Sequence, residues 1–233
     1  MYGLLIASTI LVLLIASAYD IRTREVPDIH WAMLGILAIC SWLSSGDVMS
    51  AMACISMLAC MFMDRRQVLL CPAIVLITSV CMGSWDSVAI VATGLAIMTM
   101  YWSGLVRGGA DAKALIVISM LFPSWNHGLL WYVDGSMSYI FNPTIGTLFS
   151  SLLMSLSYCI VILMRNLRNG DVHRRMLTSY YVHEDEVEQS FVWLADVTTN
   201  GRALVTPMIP FLPPITISFV VVVMLGNPML ALV

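Results

Sequence analysis

Two aspartates stand where an otherwise apolar chain could perform acid–base chemistry. Asp20 closes the first apolar run, and Asp111 follows Gly108-Gly109-Ala110 at the head of a later one. Two carboxyl groups brought together share one proton, because both do not readily ionise at short range. The ionised partner activates water and the protonated one polarises a carbonyl. That is aspartic-protease chemistry; it calls for no metal, no cofactor and no covalent intermediate. An ionisable group beside a membrane span is costly and is a functional hypothesis by default. Asp20 at the end of a helix meets partial negative charge, which Arg22 and Arg24 offset, whereas Asp111 near a helix start meets the positive end. The glycines before Asp111 allow another chain to approach closely, which suits an extended peptide. Taken singly, each aspartate also reads as a solvated boundary marker. Spacing places both on one side of the membrane and does not show that they meet.

The elements that must carry them follow from composition. Of 233 residues, 60% are hydrophobic and 11% charged, against roughly 25% charged in a soluble domain. The apolar residues are spread along the chain, so the fold class is all-α, a polytopic transmembrane bundle. Runs bounded by charges and turn residues give spans at Tyr2 to Tyr19, Pro27 to Leu43, Val48 to Met63 and Val68 to Met82, then Ser87 to Gly104, Ala112 to Phe122, Thr144 to Met164 and Pro207 to Leu225. The count is about eight, or six if the third and fourth form a re-entrant hairpin. The first run lacks a basic segment ahead of it, so despite Ala16-Ser17-Ala18 it reads as a retained helix and not a signal peptide. All eleven Lys and Arg residues fall on one side of an eight-span arrangement. By the positive-inside rule that side is the cytoplasm. Three segments result: a bundle over 1–164 with both aspartates, a cytoplasmic stretch over 165–206, and a last helix over 207–233 with a proline-rich entry. The end of the cytoplasmic stretch, Gln189 to Val205, is apolar enough to pack against the membrane face.

Three places resemble the archaeal preflagellin peptidases, within the type IV prepilin peptidase group of membrane aspartic peptidases. They are Ala18-Tyr19-Asp20-Ile21-Arg22-Thr23-Arg24-Glu25-Val26-Pro27-Asp28, Gly108-Gly109-Ala110-Asp111-Ala112-Lys113, and Thr206-Pro207-Met208-Ile209-Pro210 with Pro213-Pro214-Ile215-Thr216. The resemblance implies cleavage of short basic leader peptides from flagellin-like or pilin-like precursors at the cytoplasmic face, with Asp20 and Asp111 as the catalytic pair. Ala110 stands where the family pattern has glycine. The separation of 91 positions between Asp20 and Asp111 (111 − 20) exceeds the family's by about one helical hairpin, placed within Val48 to Met82. Bacterial relatives carry a paired-cysteine zinc region that this chain lacks, so methylation of the new N-terminus is not expected.

The remaining residues have two readings each. Gly108, Gly109 and Lys113 support the motif, Lys113 by raising local potential or by anchoring its helix at lipid head groups. Glu25 and Asp28, with Glu184, Asp185, Glu186 and Glu188, could attract a basic leader or be solvated loop. Pro207 and Pro210, with Pro213 and Pro214, cannot share one regular helix; they could line the cavity and offer free carbonyls to substrate, or form an ordinary extended entry. Asp64 pairs with Arg65 and Arg66, while Asp47 and Asp86 fall on the outer side. His30, His127, His173 and His183 share no spacing, and a metal site of His30, Asp28 and Asp20 is not expected. The six cysteines form no CxxC pair and read as small buried hydrophobes. A net charge of −3 speaks against a nucleic-acid partner. The competing readings are a presenilin-like intramembrane protease, which shares Tyr19-Asp20 but has a Pro-Ala-Leu motif absent here, and a proton- or cation-coupled transporter, whose acids belong near the bilayer midplane.

Overall fold

Helix boundaries fall where the chain carries caps. Gly46 (φ 83°) and Gly83 (φ 70°) end two helices in the left-handed region, where glycine pays no Cβ penalty. Asp47 caps the next helix, accepting from the Ser50 amide at 3.0 Å and the Ser50 hydroxyl at 2.6 Å, which gives this outer carboxylate a structural task. The computed structural model describes residues 2–63, 69–106, 108–124, 137–171, 173–183, 192–197 and 202–227. The helices are α1 (Tyr2–Thr23), α2 (Ile29–Ser45), α3 (Val48–Phe62), α4 (Leu70–Met82), α5 (Trp85–Trp102), α6 (Gly109–Leu121), the single-turn α7 (Met137–Ile140), α8 (Pro143–Asn169) and α9 (Leu212–Leu225). Three strands lie between the last two helices: β1 (Tyr180–His183), β2 (Val192–Val197) and β3 (Arg202–Pro207). Asp64, Arg65, Arg66, Trp125, His127, Trp131 and the acidic run Glu184 to Glu188 lie outside the described residues.

The chain divides into two compact units, 1–151 with 211–233, and 152–210. In the first, α6 is central. Ala112 and every residue from Ala114 to Leu121 are buried, and the helix packs against α1, α2, α3, α5 and α9. A helix apolar all round belongs inside other helices. Its C-terminal carbonyls find partners there: the Trp42 indole N–H donates to the Met120 carbonyl at 2.8 Å. Beyond α6, Phe122 packs edge-on against Tyr2 of α1 at 5.6 Å and tilts against Phe219 of α9 at 5.5 Å. Helix α1 buries Leu5, Thr9, Leu13, Ala16 and Ser17, a stripe at helical spacing that meets α9. Within that contact the Ser17 and Thr216 hydroxyls lie 2.7 Å apart, and Thr216 donates back to the Leu212 carbonyl at 2.9 Å.

The second unit corrects the all-α expectation. After α8 ends at Gly170 (φ 73°), the chain forms an antiparallel sheet in the order β1-β3-β2, with a bulge between Leu194 and Asp196. Its core is Val182, Ala203 and Val205, flanked by Tyr180 and Val192. Asn166 of α8 donates to the Met176 and Ser179 carbonyls at 2.8 and 2.7 Å, pinning the turn ahead of β1. Of the stretch Gln189 to Val205, residues 192–197 and 202–205 are strand with paired backbone, and Val192, Ala203 and Val205 pack in this small core. The last helix likewise begins at Leu212; Pro207 ends β3 instead of opening a span.

Two helices, Tyr2–Thr23 and Pro143–Asn169, are long and apolar enough to cross a membrane. The other six that match sequence spans run 13 to 18 residues, roughly 20–27 Å at 1.5 Å per residue. That is short of a hydrocarbon core about 30 Å thick. Their outward faces are apolar all the same. Leu4, Leu11 and Leu14 on α1, Met33 and Ile36 on α2, and Leu70, Ile74 and Ile77 on α4 are all more than half exposed, in rows that soluble surfaces rarely carry. The cysteines divide between inside and outside. Cys54 and Cys60 are buried as expected, whereas Cys40, Cys71 and Cys81 are exposed and Cys159 is half-buried.

Removing the buried hydroxyl pair tests the α1–α9 contact. Thr216→Val should lower stability by about 1–2 kcal/mol, read as an earlier thermal midpoint in a fixed detergent. Ser17→Ala added to Thr216→Val should then cost less than the two singly. Full additivity would mean that these hydroxyls do not pair.

Candidate active site

The buried stripe of α1 sets where the first aspartate goes. Leu13, Ala16 and Ser17 face α9, and Asp20 follows at the next position of that i, i+3, i+4 pattern. This brings its carboxylate to the start of α9, where the chain reads Pro210-Phe211-Leu212-Pro213-Pro214. Prolines carry no N–H, so the donors left at this helix entry are the amides of Phe211 and Leu212. The Leu212 N–H donates to Asp20 Oδ2 at 3.3 Å, and the Phe211 amide lies beside the same carboxyl group. A helix N-terminus is a ready anion site. Arg24 adds a charge that acts on Asp20. It is the one non-glycine with positive φ (58°) among the described residues, a conformation costing roughly 1–2 kcal/mol. Such strain persists where the surroundings over-determine the backbone, often at functional sites.

The second aspartate sits in the first turn of α6, with Gly108 as its extended N-cap (φ −82°, ψ 118°). The Asp111 carboxylate folds back onto Gly108 so closely that a Cβ on that residue would lie 2.7 Å from Asp111 Cγ. A Cβ on Gly109 would meet only the Tyr101 hydroxyl at 3.5 Å, an ordinary contact. Space therefore demands the first glycine and not the second. Asp20 lies within electrostatic reach of Asp111, and the packing of α1 and α9 on α6 brings these two half-buried carboxyl groups to one end of the bundle. They differ in surroundings. Asp20 accepts from the Leu212 amide and lies in the field of Arg24, whereas the Asp111 carboxylate is folded against Gly108.

The accessory residues sort differently from expectation. Lys113, two positions after Asp111, points to another side of α6. There it bonds Asp28 Oδ1 at 2.5 Å and lies 5.2 Å from the Phe62 ring centre. Asp28 is thereby paired, with its side chain still 58% exposed. Glu25 stays exposed in the loop, its carbonyl accepting from the Thr23 hydroxyl at 2.9 Å. His30 bonds the Pro27 carbonyl through Nδ1 at 2.9 Å and packs on Tyr19. No group of three His, Cys, Asp or Glu side chains gathers as a metal site among the described residues. Pro207 and Pro210 belong to the sheet-bearing unit. The Leu212 amide that follows this segment goes to Asp20. The sequence signal for Phe211 and Leu212 was available: they are the two non-prolines bracketed by Pro210 and Pro213-Pro214. A cavity of about 250 Å³ lined by Met61, Met98, Tyr101 and Trp102 also touches Gly109, Ala112 and Ile116. It backs α6 on the face away from Asp111.

No family model matches the chain, and no curated protein is significantly similar to it.

The two glycines give a paired test. With precursor cleavage in membranes as the readout, Gly108→Ala should lower the rate about a hundredfold by displacing Asp111, while Gly109→Ala should stay within about threefold of wild type. Equal losses, at equal protein levels, would mean that the Gly108 contact does not position the carboxylate.

Proposed function

We propose that this chain is a membrane aspartic endopeptidase of the preflagellin/prepilin type. It removes short basic leader peptides from flagellin-like or pilin-like precursors at the cytoplasmic face. The observation that carries this reading is that Asp20 and Asp111 lie within electrostatic reach of one another at one end of the bundle, with Asp20 accepting from the Leu212 amide. Both acids lie in end turns of their helices. That position favours a reaction at the membrane rim over transport through the midplane, where coupling acids are normally placed.

In the proposed reaction the substrate lies extended across the pair with a water between the carboxyl groups. Asp20 is the base, since a carboxylate with an N–H donor from a helix start and a nearby cation is the better held as an anion. Asp111 is the proton donor. Asp20 takes a proton from the water as its oxygen attacks the scissile carbonyl carbon, and the Asp111 proton passes to the carbonyl oxygen. The tetrahedral intermediate collapses as the carbon–nitrogen bond breaks. The proton on Asp20 goes to the leaving amine, and Asp111 regains its own from the carbonyl hydroxyl. Each carboxyl group ends as it began.

The membrane arrangement proposed with this chemistry has about eight spans, six if α3 and α4 only enter the bilayer. Short helices are accommodated inside a bundle or by local thinning of the lipid. The outward apolar faces of α1, α2 and α4 support lipid contact. Arg22 and Arg24 at the end of α1, Lys113 at the start of α6, and Arg165 and Arg168 at the end of α8 would then mark the cytoplasmic side.

Asp20→Asn and Asp111→Asn should each reduce cleavage of a flagellin-like precursor in membranes by at least about a thousandfold, with expression and detergent extraction unchanged. Near wild-type cleavage by either variant would sink the two-carboxyl mechanism.

A further inference from the structure

The polar end of α8 and the sheet after it form a second feature that the peptidase reading leaves unused. A cleft of about 400 Å³ is lined by Arg165 and Asn169 of α8, by Asp171, by Tyr181 and His183 of β1 and by Arg202 of β3. The Arg165 guanidinium lies 4.0 Å from the Tyr180 ring centre. Stacking fixes the plane of an arginine while leaving its edge N–H groups free to donate. Arg202 pairs with Asp171 at 3.6 Å, the acid mostly buried and the arginine half exposed, so these two charges largely cancel. Arg165 and Arg168 form no ion pair with any described residue. They outweigh the partial negative charge, about half a unit, at the C-terminal end of their helix.

What lies beside these cations identifies the ligand. Val161, Met164, Arg165 and Arg168 fall at i, i+3, i+4 and i+7, one face of α8. Val161 and Met164 are 64% and 65% exposed, and Leu153, two turns earlier on that face, is 51% exposed. Met164, Arg165, Arg168 and Asn169 together border one open depression. The cations thus terminate an exposed apolar stripe on a helix long enough to cross a membrane. A free phosphate would use only the guanidiniums; a phospholipid uses both parts.

We propose that the end of α8 binds an anionic phospholipid, with its phosphate on Arg165, Arg168 and the Asn169 amide and an acyl chain along Met164, Val161 and Leu153. The assignment rests on the membrane reading of the chain and not on its peptidase chemistry. Full-length protein in detergent is offered equal amounts of phosphatidylglycerol and phosphatidylcholine, and bound lipid is counted by native mass spectrometry. Wild type should prefer phosphatidylglycerol about tenfold. R165Q/R168Q should lose the preference, and R168Q, which disturbs no stacking, should lose part of it. R174Q/R175Q removes the same charge elsewhere and should keep it. Equal losses in the two double variants would reduce the effect to net charge and overturn the site. Release of the lipid by millimolar inorganic phosphate would reassign the site to a free anion and equally overturn it. Recovery of the protein in the soluble fraction without detergent would remove the membrane reading itself, whereas a membrane protein lacking the preference would remove only the lipid site.

Discussion

The hydrogen bond from the start of α9 to Asp20 links residues 192 positions apart, and the geometry of the paired carboxyl groups depends on it. A carboxylate at the C-terminal end of α1 faces that helix's own negative end. The Leu212 amide at the N-terminus of another helix opposes this local field. The prolines around Phe211 and Leu212 make the arrangement selective, because they leave donors at those two positions and start the helix directly after them. The hydroxyl contact between Ser17 and Thr216, one turn below, holds α1 and α9 in the register that the Asp20 contact needs.

Around that contact the bundle is organised by burial. Helix α6 is enclosed along nearly its whole length, so its first turn, carrying Asp111, has little freedom to move independently of α1 and α9. The carboxylate is brought in by the absence of a side chain at Gly108, a steric permission and not an attraction. One acid is therefore held by donors and the other by space. In the proposed reaction that difference suits unequal roles, since proton exchange needs one group settled as an anion and the other as an acid.

The lysine two residues after Asp111 shows how local reasoning reaches its limit. Its proximity in sequence suggested a common site, yet helix geometry turns it to the opposite face, where Asp28 takes its charge. The sheet makes the same point from another direction. The stretch Gln189 to Val205 is apolar enough to suggest contact with the membrane face, and only the folded chain shows that Val192, Ala203 and Val205 pack with Val182 in a small core. Cys40, Cys71 and Cys81 were assigned inward by residue type and lie outward, because a helix whose outer face is also apolar gives no signal for which side is which.

Much of this protein was legible without coordinates because it is local. Apolar runs, caps and turn residues act within a few positions, so the helices from α1 to α6 appeared close to their observed bounds. The oddity of two acids at the ends of apolar runs was equally plain. Tertiary structure alone decided that those acids lie within electrostatic reach of each other, that the Leu212 amide receives Asp20, that Gly108 and not Gly109 is sterically required, and that Lys113 pairs with Asp28. These are contacts between residues whose separation in sequence carries no information about separation in space. They are set when helix faces choose partners by burial, and a composition apolar on every side leaves that choice to packing.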